Sequence, residues 1–424
     1  MADADIFRDL PAIPERRVAV RPTTAGLAAV RRHDPWLFDG SIASASPDDL
    51  PAGAVAVVFD DRRRVAGVGL WDPASPIRVR MLHAGGSCDV GAELWRQRLA
   101  EALARRSSLV DTPDTDAWRW VHGENDGLPA LIIDRYADTV VVKLYSAAWL
   151  AHLPSVIDAI MDVAPFAVRR VVVRAARTVA DAARAAGVAD GSTVVGTAPD
   201  APVRFVERGL QLRADVVRGH KTGHFLDQRD NRALVRSMAS GRRVLDVFSA
   251  TGGFALAAAA GGAESVTMVD VSRPALDTAR ANIAANSDLA DVAACDVNDV
   301  CGDAIEVLDR FAAEGRTWDL VIVDPPSFAP NAASRARALH AYRRLAAAGL
   351  RVTESGGTMV QASCSARVDV DELADCVQRA ARHTNRRVRE QRRTAHPIDH
   401  PIGFDRGAYL KALYVSVAAA GTKN

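Results

Sequence analysis

The sequence predicts an α/β protein in which a doubly wound sheet fills the C-terminal half, preceded by a small β-rich domain and a small α+β domain. Three observations predict it. From residue 244 onward short apolar runs alternate with amphipathic stretches, the pattern of parallel strands joined by crossover helices. Before residue 90 the runs are short, valine-rich and separated by turn residues. At 424 residues the chain also exceeds the roughly 250–300 residues at which one core stops growing, so two or three domains are required.

Taken in order, residues 17–21, 54–59 and 65–70 read as strands. A short helix at 25–33 ends in Arg31, Arg32 and His33 and runs into Asp34-Pro-Trp-Leu-Phe38. A cationic turn beside Trp36 and Phe38 combines charge with a stacking surface, as an RNA contact requires. This first domain is set at 15–88. A helix at 92–106 leads to strands at 118–121, 130–134 and 139–144, and a further helix and strand complete a domain at 89–205. The Gly- and Ala-rich stretch 185–202 reads as a linker or exposed loop. Within a last domain at 206–424, strands are expected at 244–248, 265–270, 292–296, 318–324 and 357–363. Helices are expected at 253–260, 274–285, 303–313, 336–348 and 371–383.

Lys+Arg 53 against Asp+Glu 52 gives a net charge of +1, so a polyanionic partner has to be met by a local surface and not by the field of the whole chain. The cations are almost all arginine, and Lys143, Lys221, Lys411 and Lys423 are the only lysines. The 5 cysteines include no CxxC pair and suit a reducing compartment. The stretch 1–17 has acidic residues and prolines where a secretory signal is basic and then apolar, and no apolar run reaches ~20 residues. A cytoplasmic protein with no membrane segment is expected; monomer and homodimer are both left open.

The first strand of the doubly wound part ends in Asp246-Val-Phe-Ser-Ala-Thr-Gly-Gly-Phe254. Gly252 and Gly253 would let the backbone, with Ser249 and Thr251, approach a bound small molecule before the helix starts. The second strand ends in Asp270, placed to take both hydroxyls of a ribose. Asp296 is read as closing the third, where it would meet an adenine amino group. A nicotinamide dinucleotide would want GxGxxG, which is absent; S-adenosyl-L-methionine matches better.

The fourth strand ends in Asp324-Pro-Pro-Ser-Phe328, in which two prolines fix the chain so that Asp324 faces a planar base and the cofactor. The fifth ends in Ser363-Cys364-Ser365, beside the fourth in the expected order. A thiol next to a carboxylate suits methylation of a pyrimidine carbon, because carbon 5 of cytosine becomes nucleophilic only after something adds to carbon 6. Cys364 is taken as that nucleophile and Asp324 as the group that holds the base edge.

Residues 218–232 are dense in polar side chains and are either a solvated basic helix entry or a lid. In the lid, Phe225 and Gln228 reach the cofactor while Lys221 and Arg229 face RNA phosphate. Arg386, Arg387, Arg389, Arg392 and Arg393 form either a solvated strand edge or a second RNA contact. His396 and His400 would suit a metal only on a helix, which Pro397 and Pro401 oppose, so no metal is expected.

Together these residues resemble the bacterial ribosomal RNA cytosine-C5 methyltransferases of the large subunit, built from a PUA domain, a small middle domain and a Rossmann-like methyltransferase domain. The resemblance runs along the whole chain. Its carriers are Asp34-Pro-Trp-Leu-Phe38, His122-Gly-Glu-Asn-Asp-Gly-Leu-Pro129, Lys221-Thr-Gly-His-Phe-Leu-Asp-Gln-Arg-Asp230, Phe248-Ser-Ala-Thr-Gly-Gly-Phe254, Asp324-Pro-Pro-Ser-Phe328, Ser363-Cys-Ser365 and Tyr409-Leu-Lys411. It implies S-adenosyl-L-methionine as donor, large-subunit ribosomal RNA as substrate and Cys364 as nucleophile. The better-known RNA cytosine methyltransferases carry a second cysteine directly after their proline motif, whereas Ser327 follows Asp324-Pro-Pro here, so product must leave without a second thiol. Guanine N-methyltransferases of ribosomal RNA share the Asp-Pro-Pro-x-Phe run but have no use for Cys364. A non-catalytic RNA-binding or assembly protein is the third reading, against which the intact Asp246, Gly252, Gly253, Asp270, Asp324 and Cys364 argue.

Overall fold

The computed structural model describes residues 7–328 and 332–419; residues 1–6 of the N-terminal stretch, and Lys423, lie outside them. The chain divides into two compact units. One holds Met1–Phe205, Ala214–Leu226 and Ile398–Phe404, the other Val206–Arg213, Asp227–Pro397 and Asp405–Asn424.

The first unit opens with β1 (Val18–Pro22), α1 (Thr24–Arg31), β2 (Trp36–Phe38), β3 (Ile42–Ser46), β4 (Val55–Phe59), β5 (Val65–Trp71) and β6 (Ile77–Ala84). Thr23 starts α1 by accepting the Gly26 N–H at 3.2 Å. The six strands form one mixed sheet in the order β2-β6-β5-β4-β1-β3. Its core is Val18, Val20, Leu37, Ala56, Val58 and Val79, alternate residues of strands that show one face inward.

Then follow α2 (Ala92–Arg105), α3 (Ser107–Val110), β7 (Ala117–His122), β8 (Leu131–Tyr136), β9 (Thr139–Leu144), α4 (Leu153–Val163), β10 (Arg170–Ala175), α5 (Ala180–Ala185) and β11 (Ser192–Val195). They build a five-stranded sheet in the order β11-β10-β9-β8-β7, with Trp95, Trp118, Trp120 and Trp149 in its core. The stretch expected as a linker at 185–202 therefore contains a strand. Its alternation is hard to see because β11 is an edge strand of four residues. Two buried ion pairs brace this part, Arg106 with Asp126 at 2.6 Å and Arg119 with Asp134 at 2.8 Å.

A two-stranded hairpin, β12 (Val203–Glu207) with β13 (Leu210–Ala214), precedes the second sheet. That sheet comprises α6 (Arg229–Met238), β14 (Arg243–Val247), α7 (Gly253–Ala259), β15 (Ser265–Asp270), α8 (Arg273–Ala284), α9 (Ala290–Ala294), β16 (Asp296–Cys301), α10 (Ala304–Ala313), β17 (Trp318–Val323), α11 (Arg335–Val352), β18 (Thr353–Ser363), α12 (Val370–His383), β19 (Arg386–Thr394) and β20 (Lys411–Ala419). Strand order is β16-β15-β14-β17-β18-β20-β19; β14 to β18 are parallel and β20 is antiparallel to both of its neighbours. Val321, Ile322 and Val323 are all fully buried, as a parallel strand covered by helices on both faces demands. This is the expected doubly wound α/β fold. One strand is misplaced by the sequence reading: 290–294 is helical, and the third strand begins at Asp296 instead of ending there. Among the described residues no helix is long and apolar enough to cross a membrane.

Candidate active site

Strand order reverses between β14 and β17, where an open α/β sheet leaves a crevice beyond the carboxyl ends of its strands. Asp246, on β14, is fully buried. Its Oδ2 accepts the Ala255 N–H of α7 at 3.0 Å, and its Oδ1 has no hydrogen-bond partner among the described residues. Burial, reinforced by the charges of Asp324 and Asp270 against the Ala255 hydrogen bond, pushes this carboxyl up to about 7.

The loop from β14 to α7 is held in a strained path. Phe248 and Ala250 have φ of 64° and 47°, costly for residues with a Cβ. Several bonds fix it there: Phe248 and Ser249 N–H to the Val269 carbonyl at 2.9 and 3.1 Å, Ala250 N–H to Asp270 Oδ2 at 2.9 Å, and Asn282 Nδ2 to the Thr251 carbonyl at 2.9 Å. The Ser249 hydroxyl faces the Val269 carbonyl at 3.4 Å. Gly252, at φ +76°, has a reason to be glycine that the sequence reading missed, since a Cβ there would meet the Ala279 Cβ of α8 at 2.6 Å. A Cβ on Gly253 would meet Arg232 Cδ at 2.9 Å.

Asp270 ends β15 and bridges two loops, its Oδ1 accepting the Ser272 N–H at 2.8 Å. Each oxygen keeps a lone pair for a ribose hydroxyl. Asp296 is corrected: it pairs with Ser265 at the start of β15, whereas Cys301 pairs with Asp270. Asp296 thus lies at the opposite edge of the sheet from the crevice. The carboxylate beyond the end of the third strand is Asp303, whose Oδ1 caps α10 through Ile305 and Glu306 N–H at 2.9 and 3.2 Å.

Asp324 follows β17, and its Oδ2 accepts Gln228 Nε2 at 2.9 Å. Gln228 is aimed in turn by Asn231, whose Nδ2 donates to its Oε1 at 2.6 Å. Val323 pairs with Gln361 of β18, so Asp324 stands level with Ala362 and Cys364 lies two residues further along the same edge. The Tyr342 hydroxyl senses both: burial first, then the charges of Cys364 and Asp324, raise it to about 12, and it accepts Ser363 Oγ at 2.8 Å. Lys411, opposite Ser363 on β20, is buried, and its Nζ donates to the Ser365 and Val368 carbonyls. Burial pulls its pKa down to about 8 while the Cys364 charge pushes it back up. The cation beside the cysteine loop is therefore Lys411. Cys295 and Cys376 sit elsewhere with thiols raised by burial.

The acidic ends of β14 and β15, the orphaned Oδ1 of Asp246 and a backbone loop open to close approach fit a ligand with a cationic centre and a ribose. The described residues hold no cluster of three His, Cys, Asp or Glu that could bind a metal. A family model for S-adenosylmethionine-dependent methyltransferases matches residues 188–415. The chain belongs to this family. S-adenosyl-L-methionine is its cofactor, and a PUA-like domain model matches residues 23–84. A ribosomal RNA large subunit methyltransferase of Deinococcus radiodurans is 41% identical over 412 residues, covering 96% of this chain and 99% of its own. Ribosomal RNA large subunit methyltransferase I of Alteromonas mediterranea is 35% identical over 92% and 96% of the two chains. A solved Streptococcus mutans protein described as a SAM-dependent methyltransferase shares the fold, with a TM-score of 0.78 at 19% identity over 94% of this chain and 99% of its own.

In this methyltransferase the residues read as RNA contacts have diverse settings. Arg31 and Arg32 are exposed at the end of α1. Trp36 donates its indole N–H to Glu124 Oε1 at 2.8 Å and packs edge-on to Phe404 at 5.2 Å. Arg229 is 1% exposed, which removes it from the set. The first part of the segment expected as a lid, up to Leu226, is pinned in the first unit: Thr222 Oγ1 donates to Asp134, the Tyr136 hydroxyl accepts the His224 N–H at 3.2 Å, and Lys143 Nζ donates to the Lys221 carbonyl at 2.7 Å. The Lys221 ammonium lies over the Phe225 ring at 4.6 Å. Phe225 belongs to the first unit and Gln228 to the second.

Proposed function

We propose that this methyltransferase forms 5-methylcytosine in large-subunit ribosomal RNA through a covalent adduct at Cys364. The observation that carries the reading is the placement of Cys364 and Asp324 at neighbouring strand ends, with the Tyr342 hydroxyl bonded to Ser363 next to the cysteine and the Lys411 ammonium bonded to the cysteine's own loop. The names of the relatives support the ribosomal substrate. The PUA-like domain, with Arg31, Arg32, Trp36 and Lys221, is assigned to RNA binding. Ser249, Thr251, Gly252, Gly253 and Asp270 are assigned to the cofactor, with Gln228 and Asp324 completing its site and Asp303 in the place first given to Asp296.

The cofactor supplies an electrophilic methyl group. The protein's own part begins with the Cys364 thiolate, which bonds to carbon 6 of a cytosine turned out of its stack. Asp324, aimed by Gln228, holds the N3/N4 edge of the base and stabilises the electron density that moves toward carbon 5. Carbon 5 takes the methyl group. Loss of its proton to water restores the double bond and expels the thiolate. Lys411 favours the thiolate before attack and on departure. An RNA with 5-fluorocytosine at the target lacks that proton, so wild-type protein is expected to stay bound through denaturation and Cys364→Ala to give no such complex. If Cys364→Ala instead methylates at the wild-type rate, the guanine reading replaces this one.

A further inference from the structure

β19 carries Arg386, Arg387, Arg389, Arg392 and Arg393 at the edge of the seven-stranded sheet, and its pairing with β20 decides where each points. Arg386, Val388, Glu390 and Arg393 stand opposite Ala419, Val417, Val415 and Leu413. Val417, Val415, Leu413 and Val388 pack into the core with α11 and α12. Arg387, Arg389 and Arg392 stand opposite Ala418, Ser416 and Tyr414, the other face of the sheet. Simple alternation would turn Arg392 toward α12. The irregularity between Glu390 and Arg392 prevents that by absorbing Gln391, whose Nε2 donates to Ser416 Oγ at 2.9 Å.

The two rows differ in their partners. Facing α12, Arg393 is held by Glu390 at 2.8 Å and by Asp371 at 2.6 Å, and Arg386 donates to the Thr353 carbonyl and Ser355 Oγ. On the other face Arg387, Arg389 and Arg392 are exposed, and none forms an ion pair with a described residue. Matching positions on β20 lie two residues apart, so the three arginines leave the backbone at intervals of about 6.8 Å. The Arg392 end points toward the site. Beside it the Tyr414 hydroxyl and Thr394 Oγ1 both donate to Asn231 Oδ1, at 3.2 and 2.6 Å, and Asn231 leads through Gln228 to Asp324.

We propose that Arg387, Arg389 and Arg392 form a row that binds the phosphodiester backbone of the RNA substrate and leads it to the active site. Charges on an edge strand also discourage edge-to-edge pairing, but that purpose needs no sorting of arginines by face. The proposal rests on the ribosomal RNA reading and not on which base is methylated.

The test compares full-length wild type with the R387Q/R389Q/R392Q variant, using an unmodified transcript of large-subunit ribosomal RNA titrated over a range of potassium chloride concentrations. The variant is expected to bind at least about tenfold more weakly at moderate salt. Its log affinity against log salt should be shallower by about 2 to 3, since each lost phosphate contact removes roughly 0.7 to 0.9. Cofactor affinity and melting temperature should not move, and R387K/R389K/R392K should keep most of the RNA affinity. Unchanged affinity and slope overturn the proposal, as does a loss of affinity that self-association measured by sedimentation fully explains. Wild type that binds cofactor but not the transcript overturns the ribosomal RNA reading with it. A failed 5-fluorocytosine trap alongside the expected salt slopes sinks only the cytosine chemistry.

Discussion

At Asp246, burial holds the carboxyl near pKa 7, well above the usual carboxylate range. The folded value lies above the unfolded one, so the folded chain binds the extra proton and loses stability as pH rises between those limits. A cationic ligand next to the unpartnered Oδ1 favours the ionised form, so cofactor binding should release a proton in that window. Calorimetry at pH 6 in two buffers of different ionisation enthalpy is expected to show release of about one proton, fading above pH 8, with Asp246→Asn binding more weakly and releasing none. Equal heats in both buffers at pH 6 would remove the linkage. Lys411 makes a second case. Its ammonium bonds the Ser365 and Val368 carbonyls next to Cys364, so Lys411→Met should slow alkylation of the Cys364 thiol near neutral pH by roughly tenfold, and Lys411→Arg should restore part of it. Peptide mapping reads the site, with Cys295 as internal control. Unchanged alkylation would leave Lys411 a loop brace only. The scarcity of lysine made Lys411 visible in the sequence, but nothing there joined it to Cys364, because only the antiparallel register of β20 on β18 does so.

Among the elements, the central strands were legible and the edges were not. β14, β17 and β18 are buried apolar runs that stop at chemistry-bearing residues, so their ends placed Asp246, Asp324 and Cys364 correctly on one edge of the sheet. β16 and β11 are edge strands with little to bury. Asp296-Val-Asn-Asp-Val-Cys301 shows partial exposure throughout, while the apolar residues just before it belong to α9, so the reading slid toward the helix and took Asp296 with it. The turn before α7 was located but only half understood, since Gly252 also answers to a helix contact. Gly252→Ala combines a left-handed φ with a 2.6 Å clash on Ala279 and should cost about 2 to 4 kcal/mol. Adding Ala279→Gly should recover the steric share in thermal unfolding and leave the backbone share. If the double variant is no more stable than the single one, the packing account of this glycine is wrong.

At the scale of the whole molecule the chain passes repeatedly between its two units, and the first is completed by segments that follow it far along the sequence. Asp399 shows what such a segment does. Its Oδ2 accepts the Arg119 N–H of β7 at 2.9 Å, and its carbonyl accepts Arg106 Nη2 at 2.9 Å, where that guanidinium also grips Asp126. Thr222, from the other late segment, donates to Asp134, the partner of Arg119. These groups are buried, so a lost partner costs the desolvation of whatever is left behind. Asp399→Ala removes the acceptor for the Arg119 N–H but keeps the carbonyl, and should destabilise the first unit by roughly 1 to 3 kcal/mol. Hydrogen exchange should localise the loss, with faster exchange in β7 and β8 and no change in β14 and β15, although residue 399 lies far beyond both pairs in the sequence. Loss of protection confined to the neighbourhood of residue 399, with β7 as slow as in wild type, would show that the late segment merely rests on the unit and does not complete it.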